Sequence, residues 1–294
     1  TETLVESFSM LGIEKTLAEI RGMFAIAIFD RKEKKCFLIR DRYGEKPLYY
    51  LDLNDGRVAF ASELSCFQHL PYYEPELDVN GAACFFEKGY ISAPLSIWRN
   101  INKVMPGTKI EITSRKEKKY FISKKENFWS ISDLALKGQK NLFKGSYEQC
   151  KIDLQNTLMS TVQDQSLSDV PLGIFLSGGI DSSLIASLSQ KSSSIPVRTF
   201  SIGFTEKNYD ESQFAEAVAN HIGSEHITLM VQPRDAIDIV ERMPLIYSEP
   251  FADSSQIPTT LLSTLVKNYV SVALTGDGAD ELFSGYSRYI FANK

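Results

Sequence analysis

The sequence predicts an α/β protein with two halves of different architecture. From Tyr147 onward, apolar runs of strand length alternate with longer helical patterns, which is typical of a doubly wound parallel sheet. Before that point, short apolar runs follow one another closely, which favours an antiparallel sheet in an α+β arrangement. We therefore predict domains at residues 1–125 and 146–294, joined by a polar, poorly periodic linker at residues 126–145.

The N-terminal half is predicted to form a helix followed by five short strands. Apolar residues recur at helical spacing up to Leu17, so a helix is expected over residues 1–17. Ser62 and Asp78 are suited to cap two further short helices. The predicted strands are apolar runs bounded by charged or turn residues, at 22–30, 35–41, 47–50, 57–60 and 109–113.

The C-terminal half is predicted to alternate strands with helices. Its strands are expected where apolar runs are too short for a helix, at 170–176, 197–202, 225–229 and 270–274. The helices are expected at 146–165, 182–190, 211–220, 235–243, 257–268 and 279–283. Because parallel strands of one sheet end at the same edge, residues that follow these strands should lie close together.

Composition and charge exclude several classes of protein. A hydrophobic content of 43% and a charged content of 23% are typical of a folded globular protein. The net charge of −5 argues against a nucleic-acid partner held by a basic surface. The one basic run, residues 115–125, is interpreted as a solvated hairpin or loop. No apolar run approaches the length that spans a bilayer, so no membrane partner is expected.

The four cysteines point to a reducing compartment. They are scattered along the chain, with no CxxC pair and no close spacing to histidine. This pattern favours neither a disulfide framework nor a zinc site. We therefore expect a cytoplasmic location.

The most informative motif is the heptad Ser-Gly-Gly-Ile-Asp-Ser-Ser at residues 177–183. It lies on the predicted turn from a buried strand to a helix, where backbone N–H groups and the positive helix end can hold phosphate. The two glycines permit a positive φ and a close approach of an anion, and the serines add hydroxyl donors. An ordinary glycine-rich connection with a Ser/Asp cap is the alternative interpretation.

Asp181 is unexpected within such a turn. A carboxylate beside a phosphate is repulsive unless a cation lies between them, and Mg²⁺ accepts oxygen ligands from both groups. The sequence Thr-Gly-Asp-Gly-Ala-Asp-Glu at 275–281, which follows another predicted strand, supplies further acids. Asp280 could share Mg²⁺ with Asp181, and Asp277 could act on substrate. An acidic, solvated capping turn is the alternative for this second cluster.

Three weaker signals complete the candidate site. Gly203, at a third strand end, is predicted to leave room for a flat ligand such as adenine, although a plain strand end is equally compatible. The loop at 248–255 could complete a polar pocket or simply cap the next helix. His221 and His226 are interpreted as surface or boundary residues and not as ligands.

The heptad resembles the PP-loop, SGGxDS, of ATP pyrophosphatases, and longer segments narrow that resemblance. The chain resembles glutamine-dependent asparagine synthetases over essentially its whole length. In the C-terminal half the resemblance rests on SDVPLGIFLSGGIDSSLIASL, TFSIGF, YDESQFAEAVANHIGSEHI, EPFADSSQIPT and VALTGDGADELFSGY. In the N-terminal half it rests on GMFAIAIFD, RDRYGEKPLYY and FASEL, which look like the later part of a class II glutaminase sandwich.

The resemblance implies an ATP-dependent ligase that amidates aspartate. ATP–Mg²⁺ would activate the aspartate side chain as an acyl-adenylate, and ammonia from glutamine would attack it, giving asparagine, AMP and pyrophosphate. The resemblance is also compatible with a homodimer. The ATP-binding residues that it implies are Phe175, Ser177, Gly178, Gly179, Asp181, Ser182, Ile202, Thr275 and Gly276. It further implies Asp181 and Asp280 as Mg²⁺ ligands, Asp277 and Asp280 as catalytic residues, and Asp253 as a substrate contact.

Two departures from the family pattern shape our expectations. A class II glutaminase uses an N-terminal Cys as its nucleophile, whereas position 1 here is Thr. The family also continues well past Tyr289, through a segment with an essential lysine. We therefore expect an internal fragment that does not by itself hydrolyse glutamine.

Other functions remain open at this stage. One is an enzyme that uses the same adenylating domain on another carboxylate, as β-lactam synthetases and peptide cyclases do. Another is a non-catalytic nucleotide-binding relic. The three acids Asp181, Asp277 and Asp280 argue against a relic, because a binding protein has no need of repelling carboxylates at one site.

Overall fold

The computed structural model describes residues 1–53, 55–115, 119–205 and 210–292. These residues form two compact units. Unit 1 comprises Thr1–Leu142 and Pro244–Asp253, and unit 2 comprises Phe143–Met243 and Ser254–Lys294. The 244–253 segment thus belongs to unit 1 although it is flanked on both sides by unit 2.

Unit 1 contains two antiparallel sheets. Its strands are β1 (Ala25–Asp30), β2 (Lys35–Arg40), β3 (Tyr49–Asp52), β4 (Val58–Ala61), β5 (Ile101–Lys103), β6 (Thr108–Arg115) and β7 (Lys119–Asn127). One sheet has the order β1-β2-β6-β7 and the other β4-β3-β5. Buried side chains from both sheets, among them Leu38, Tyr50 and Ile110, form a single cluster, so the sheets share a core.

Among the described residues before Phe143, the helical segments beside these sheets are α1 (Glu2–Glu19), a 3₁₀ helix (Leu64–His69), α2 (Val79–Lys88) and α3 (Ile131–Lys140). Helix α1 is kinked at Gly12, whose φ is +77°. Asp78 caps α2 as predicted, because its carboxylate accepts the N–H groups of Asn80 and Gly81. Helix α1 packs through Leu17 against Phe37 and Ile39 of β2.

The structure differs from the sequence-based prediction at β5, β7 and α3. β7 is a polar edge strand that pairs antiparallel with β6, so the hairpin interpretation of the basic run is confirmed, although no strand was predicted there; residues 116–118 of that run lie outside the described residues. The predicted linker at 126–145 begins inside β7 and contains α3. Strand β7 and helix α3 lack a strong apolar pattern, because β7 lies at an edge of its sheet and α3 buries none of its residues.

Unit 2 is built on one parallel sheet. Its strands are β8 (Leu172–Phe175), β9 (Arg198–Phe204), β10 (Glu225–Val231) and β11 (Val272–Leu274), in the order β10-β9-β8-β11. Its helices are α4 (Tyr147–Gln165), α5 (Ile180–Ser192), α6 (Ser212–Ile222), α7 (Pro233–Val240), α9 (Gln256–Val266), α10 (Ala279–Phe283) and α11 (Ser287–Ala292). The one-turn helix α8 (Met243–Ile246) begins at the last residue of unit 2 before the 244–253 segment and lies mostly within that segment. Every strand and helix predicted for this half is present, with shifts of a few residues at the ends.

Helices cover both faces of the parallel sheet. On one face, Ile174 of β8 packs with Ala186 of α5 and Ala215 of α6. On the other face, Phe200 of β9 packs with Leu262 of α9. The strand ends are therefore left as the open edge where loops can meet.

The remaining bulk features concern membranes and thiols. In the part of the chain that the structure describes, no helix is long and apolar enough to cross a bilayer. All four cysteines are free thiols.

Candidate active site

The turn after β8 adopts a compact conformation that requires glycine. The Leu176 N–H donates to the Phe200 carbonyl at 2.8 Å, so the pairing with β9 continues one residue past β8. Gly178 has a φ of +82°, and a Cβ there would lie 2.6 Å from the Cβ of Phe214 at the start of α6. The turn therefore rests directly on α6, and only glycine fits at position 178.

The Ser182 hydroxyl holds this turn together. Its Oγ accepts the Ser177 N–H at 3.2 Å and lies 2.9 Å from the Ser177 Oγ. The Ser177 Oγ in turn accepts the Gly179 N–H at 3.2 Å. Ser182 is buried and Ser177 is exposed. The sequence suggested both hydroxyls as phosphate donors, but in the structure the Ser182 hydroxyl bonds within the turn and fixes its shape.

The second loop follows β11 and contacts the first. Leu274, the last residue of β11, pairs with Ile174 of β8, so the two loops leave neighbouring strands. A Cβ on Gly276 would lie 2.8 Å from the Ser182 backbone nitrogen and 3.0 Å from the Asp181 carbonyl carbon. Gly276 is therefore packed against the first turn of α5. This contact joins the two motifs that were predicted to share an edge.

The acids of the second loop differ in their surroundings. Asp277 is exposed, whereas Asp280, in the first turn of α10, and Asp181, in the first turn of α5, are half-buried. Gly278, between Asp277 and Asp280, has a φ of +91° and turns the chain into α10. Within the described ranges, no group of three or more His, Cys, Asp or Glu side chains is placed to hold a metal ion. The pairing of Asp181 with Asp280 on Mg²⁺ therefore stays a prediction.

Glu281 forms the most distinct electrostatic pair of this loop. The Tyr286 hydroxyl donates to the Glu281 Oε1 at 2.8 Å. This hydrogen bond lowers the pKa of the Glu281 carboxyl and raises the pKa of Tyr286 to about 12. Arg288 lies over the Tyr286 ring, 4.2 Å from its centroid. The segment that follows the acidic loop is thus organised by its own side chains.

The end of β9 does not contain the open space that was predicted beside Gly203. The side chain of Ile202 packs into the core with Val231, and Phe175 of β8 packs with Phe200. A Cβ on Gly203 would lie 2.6 Å from the Met230 sulfur. The expectation that Gly203 leaves room for a flat ligand is wrong on that side, because the Met230 side chain from β10 fills it.

The 248–255 loop is divided between the two units after Asp253. Glu249 pairs with Lys103 of β5, and both side chains are largely buried, at 18% and 13% exposed. The Lys103 Nζ also donates to the Ile91 carbonyl at 2.6 Å. Asp253 belongs to unit 1 with Glu249, and its role as a substrate contact stays a prediction.

Burial and the Glu249 carboxylate together raise the pKa of Tyr49. The pKa of Tyr49 is raised to about 12, first by burial and then by the Glu249 carboxylate. The 244–253 segment is also held by its backbone, since the Ala252 N–H donates to the Gly89 carbonyl at 2.6 Å. Sequence reasoning missed these contacts, because no short-range pattern connects Lys103 with Glu249.

Comparisons with known proteins cover both halves of the chain. The family model described as "Asparagine synthase" matches residues 153–294, and the one described as "Glutamine amidotransferase domain" matches residues 1–129. A putative asparagine synthetase [glutamine-hydrolyzing] 2 of Methanocaldococcus jannaschii is 31% identical, over 99% of this chain and 54% of its own length. Asparagine synthetase [glutamine-hydrolyzing] 1 of Bacillus subtilis is 32% identical, over 94% of this chain and 41% of its own length.

The chain belongs to the glutamine-dependent asparagine synthetase family. It spans about half the length of the asparagine synthetases that it matches, between 41% and 54%. Among solved structures, a glutamine-dependent NAD+ synthetase from Acinetobacter baumannii aligns with 97% of this chain and 66% of its own, at 12% identity and a TM-score of 0.38. A similarity of that size adds nothing to the asparagine synthetase assignment.

This asparagine synthetase family member also contains a polar network at the start of β9 and β10. The Nδ1 of His226 lies 2.8 Å from the Thr199 Oγ1, and its Nε2 lies 3.1 Å from the Ser201 Oγ. Burial lowers the pKa of His226, while Glu216 on α6 opposes that shift. His226 is thus half-buried and hydrogen-bonded through both ring nitrogens, which agrees with its interpretation as a boundary residue.

Unit 2 is expected to lose stability below pH 6.5 through His226. The folded-state pKa lies below the usual histidine value of 6.5, so the unfolded state binds the proton first and stability falls as pH drops past that value. We expect amides of β9 and β10 to exchange hydrogen faster at about pH 5.5 than at about pH 7.5, after correction for intrinsic rates. His226→Gln should weaken this pH dependence, and His221→Gln at the exposed end of α6 should not; an unchanged profile in His226→Gln would contradict the assignment.

Proposed function

We propose that this chain carries the ATP site of a ligase that amidates aspartate to asparagine. Ammonia from glutamine would react with a β-aspartyl-AMP intermediate, with release of AMP and pyrophosphate. The observation that supports this most directly is the packing of Gly276 against Asp181 and Ser182. It brings a phosphate-type turn and an acidic loop to one sheet edge, where a nucleotide and a carboxylate substrate need to meet.

We further propose a specific fold for each unit. The parallel sheet of unit 2, with helices on both faces and the Ser177–Ser183 turn at its edge, supports a PP-loop ATP pyrophosphatase fold. The two antiparallel sheets of unit 1 support part of a class II glutaminase sandwich. The two family models match the corresponding stretches of sequence.

The residues of the edge would divide the work between binding and reaction. The backbone of the turn at Ser177–Gly179, next to the N-terminus of α5, would hold the pyrophosphate part of ATP. Backbone atoms of Phe175, Ile202 and Thr275 would contact the nucleoside. Asp277, the exposed acid, would face the acyl-adenylate and accept a proton from the attacking nitrogen.

Two carboxylates, Asp181 and Asp280, suit a Mg²⁺ site that substrate phosphates complete, rather than a metal site closed by protein ligands alone. Asp181 and Asp280 are the half-buried acids of the two loops. Mg²⁺ is commonly bound by one or two carboxylates together with substrate phosphates. When bound, it would neutralise charge on the phosphates during adenylation.

The proposal is tested by pyrophosphate exchange. The complete gene product that contains this chain is incubated with ATP, labelled pyrophosphate and either aspartate or other carboxylic acids. We expect label to enter ATP with aspartate only, and Asp181→Asn to lower the rate by about 100-fold or more. Asp164→Asn on the exposed face of α4 is the matched control and should leave the rate unchanged. Exchange with another acid, and none with aspartate, would show that the enzyme adenylates a different carboxylate.

A further inference from the structure

The short turn between β11 and α10 is fixed at both ends. Thr275 directly follows Leu274, which is buried and paired with Ile174 of β8. Gly276 leaves no room for a Cβ against α5, and Gly278 holds a positive φ that starts α10. The backbone before Asp277 is therefore held by its packing against α5, and the backbone after it leads directly into α10.

One hydroxyl holds both the backbone and the side chain of Asp277. The Thr275 Oγ1 donates to the Asp277 Oδ2 at 2.9 Å. The same oxygen accepts the Asp277 N–H at 3.3 Å. A hydroxyl has one donor and two acceptor positions, so both bonds can be made at once. The carboxylate is thereby tied to the backbone direction of its own turn.

The other carboxylate oxygen is left for a reaction partner. Asp277 is exposed, and among the residues that the structure describes no other side chain pairs with its carboxylate. With Oδ2 held by the Thr275 hydroxyl, the rotation of the carboxylate is restricted and the position of Oδ1 is fixed with it. An acid that accepts a proton benefits from such a fixed orientation, because misplacement of a reacting group lowers the rate steeply.

We propose that Thr275 is a positioning residue for Asp277 in the amide-forming half-reaction. This inference rests on the proposed function. In that half-reaction the ammonia nitrogen attacks the acyl carbon, a C–N bond forms, and the C–O bond to AMP breaks. The nitrogen loses one proton, which the Asp277 Oδ1 accepts. The Thr275 hydroxyl would act in this step through the orientation of Asp277.

The choice of threonine strengthens this interpretation. The two heavy substituents on a threonine Cβ restrict χ1 more than the single hydroxyl of serine does. A serine at position 275 would keep both hydrogen bonds but would hold the hydroxyl less tightly. A valine would keep the shape and remove both bonds. The two variants therefore separate the hydrogen bonds from the packing of the side chain.

The experiment compares the two half-reactions in the complete gene product. For Thr275→Val we expect kcat for asparagine formation from added ammonia to fall by about tenfold or more beyond any loss in aspartate-dependent pyrophosphate exchange, because only amide formation uses Asp277. Thr275→Ser should recover most of that loss. Thr161→Val, which removes an exposed hydroxyl that also bonds within its own helix, is the matched control and should change neither rate.

Each outcome separates this inference from the proposed function. An equal loss in both half-reactions, or full ammonia-dependent activity in Thr275→Val, would overturn the positioning role. Absence of aspartate-dependent exchange in the unaltered protein would instead overturn the proposed function. In that case a crystal structure of Thr275→Val decides the positioning role alone: several conformers of Asp277 support it, and the unchanged single conformer overturns it.

Discussion

Replacing Gly276 with alanine is expected to lower aspartate-dependent pyrophosphate exchange by about 100-fold or more. The added methyl group would lie 2.8 Å from the Ser182 backbone nitrogen and 3.0 Å from the Asp181 carbonyl carbon. Both atoms belong to the first turn of α5, which cannot rotate away as a flexible side chain could. Relief of the clash therefore requires the acidic loop and the Ser177–Gly179 turn to move apart, which separates the acids from the phosphates.

The matched control is a glycine with free space around it. Gly138 lies in α3, and a Cβ added there would have nothing within 4 Å, so Gly138→Ala should leave exchange unchanged. It should also raise helix stability slightly, because alanine favours the helix over glycine. If Gly276→Ala retained the exchange rate of the unaltered protein, the contact between the two loops would be irrelevant to adenylation.

Removing the Glu249 carboxylate is expected to destabilise unit 1 by about 2–4 kcal/mol. Glu249→Gln removes the negative charge that neutralises the largely buried Lys103 ammonium and leaves it with neutral hydrogen-bond acceptors such as the Ile91 carbonyl. Loss of one partner of a buried pair costs about 3–5 kcal/mol, and we place the expectation lower because both side chains retain some exposure. The same change removes one cause of the raised pKa of Tyr49, which should fall.

Tryptophan fluorescence makes this measurable for unit 1 alone. The two tryptophans, Trp98 and Trp129, both lie in unit 1, so urea unfolding followed by their emission reports that unit. The double variant Lys103→Met/Glu249→Gln should recover part of the loss, because no unpaired ammonium remains. Glu241→Gln, outside unit 1, is the control. Additive losses in the single and double variants would contradict a coupled pair.

The elements that define unit 2 could be predicted because their signals are local. Each strand is an apolar run next to a helix pattern, and the buried sheet makes those runs nearly continuous. The turn at Ser177–Ser183 and the loop at Thr275–Glu281 were placed at one edge by the rule that parallel strands end together. The contact of Gly276 with Ser182 confirms that the two loops lie next to each other.

Features that depend on distant partners could not be predicted. The space beside Gly203 is set by Met230 on the neighbouring strand, and a sequence does not specify that rotamer. The pairing of Lys103 with Glu249 joins residues that no periodic pattern links. The bounds of β7 could not be predicted for another reason, because an edge strand is under little pressure to be apolar and its polar residues resemble a loop.

The path of the 244–253 segment has a consequence for synthesis on the ribosome. A nascent chain that has emerged as far as Leu142 holds both sheets of unit 1, yet the carboxylate that neutralises Lys103 is still to be translated, after the whole stretch 143–243. Unit 1 therefore cannot become fully stable before the rest of the chain is made, as an N-terminal domain usually does during synthesis. Expression of residues 1–142 alone would yield a protein that lacks Glu249, the ion-pair partner of its Lys103. The two units therefore cannot be separated intact by dividing the chain at one position.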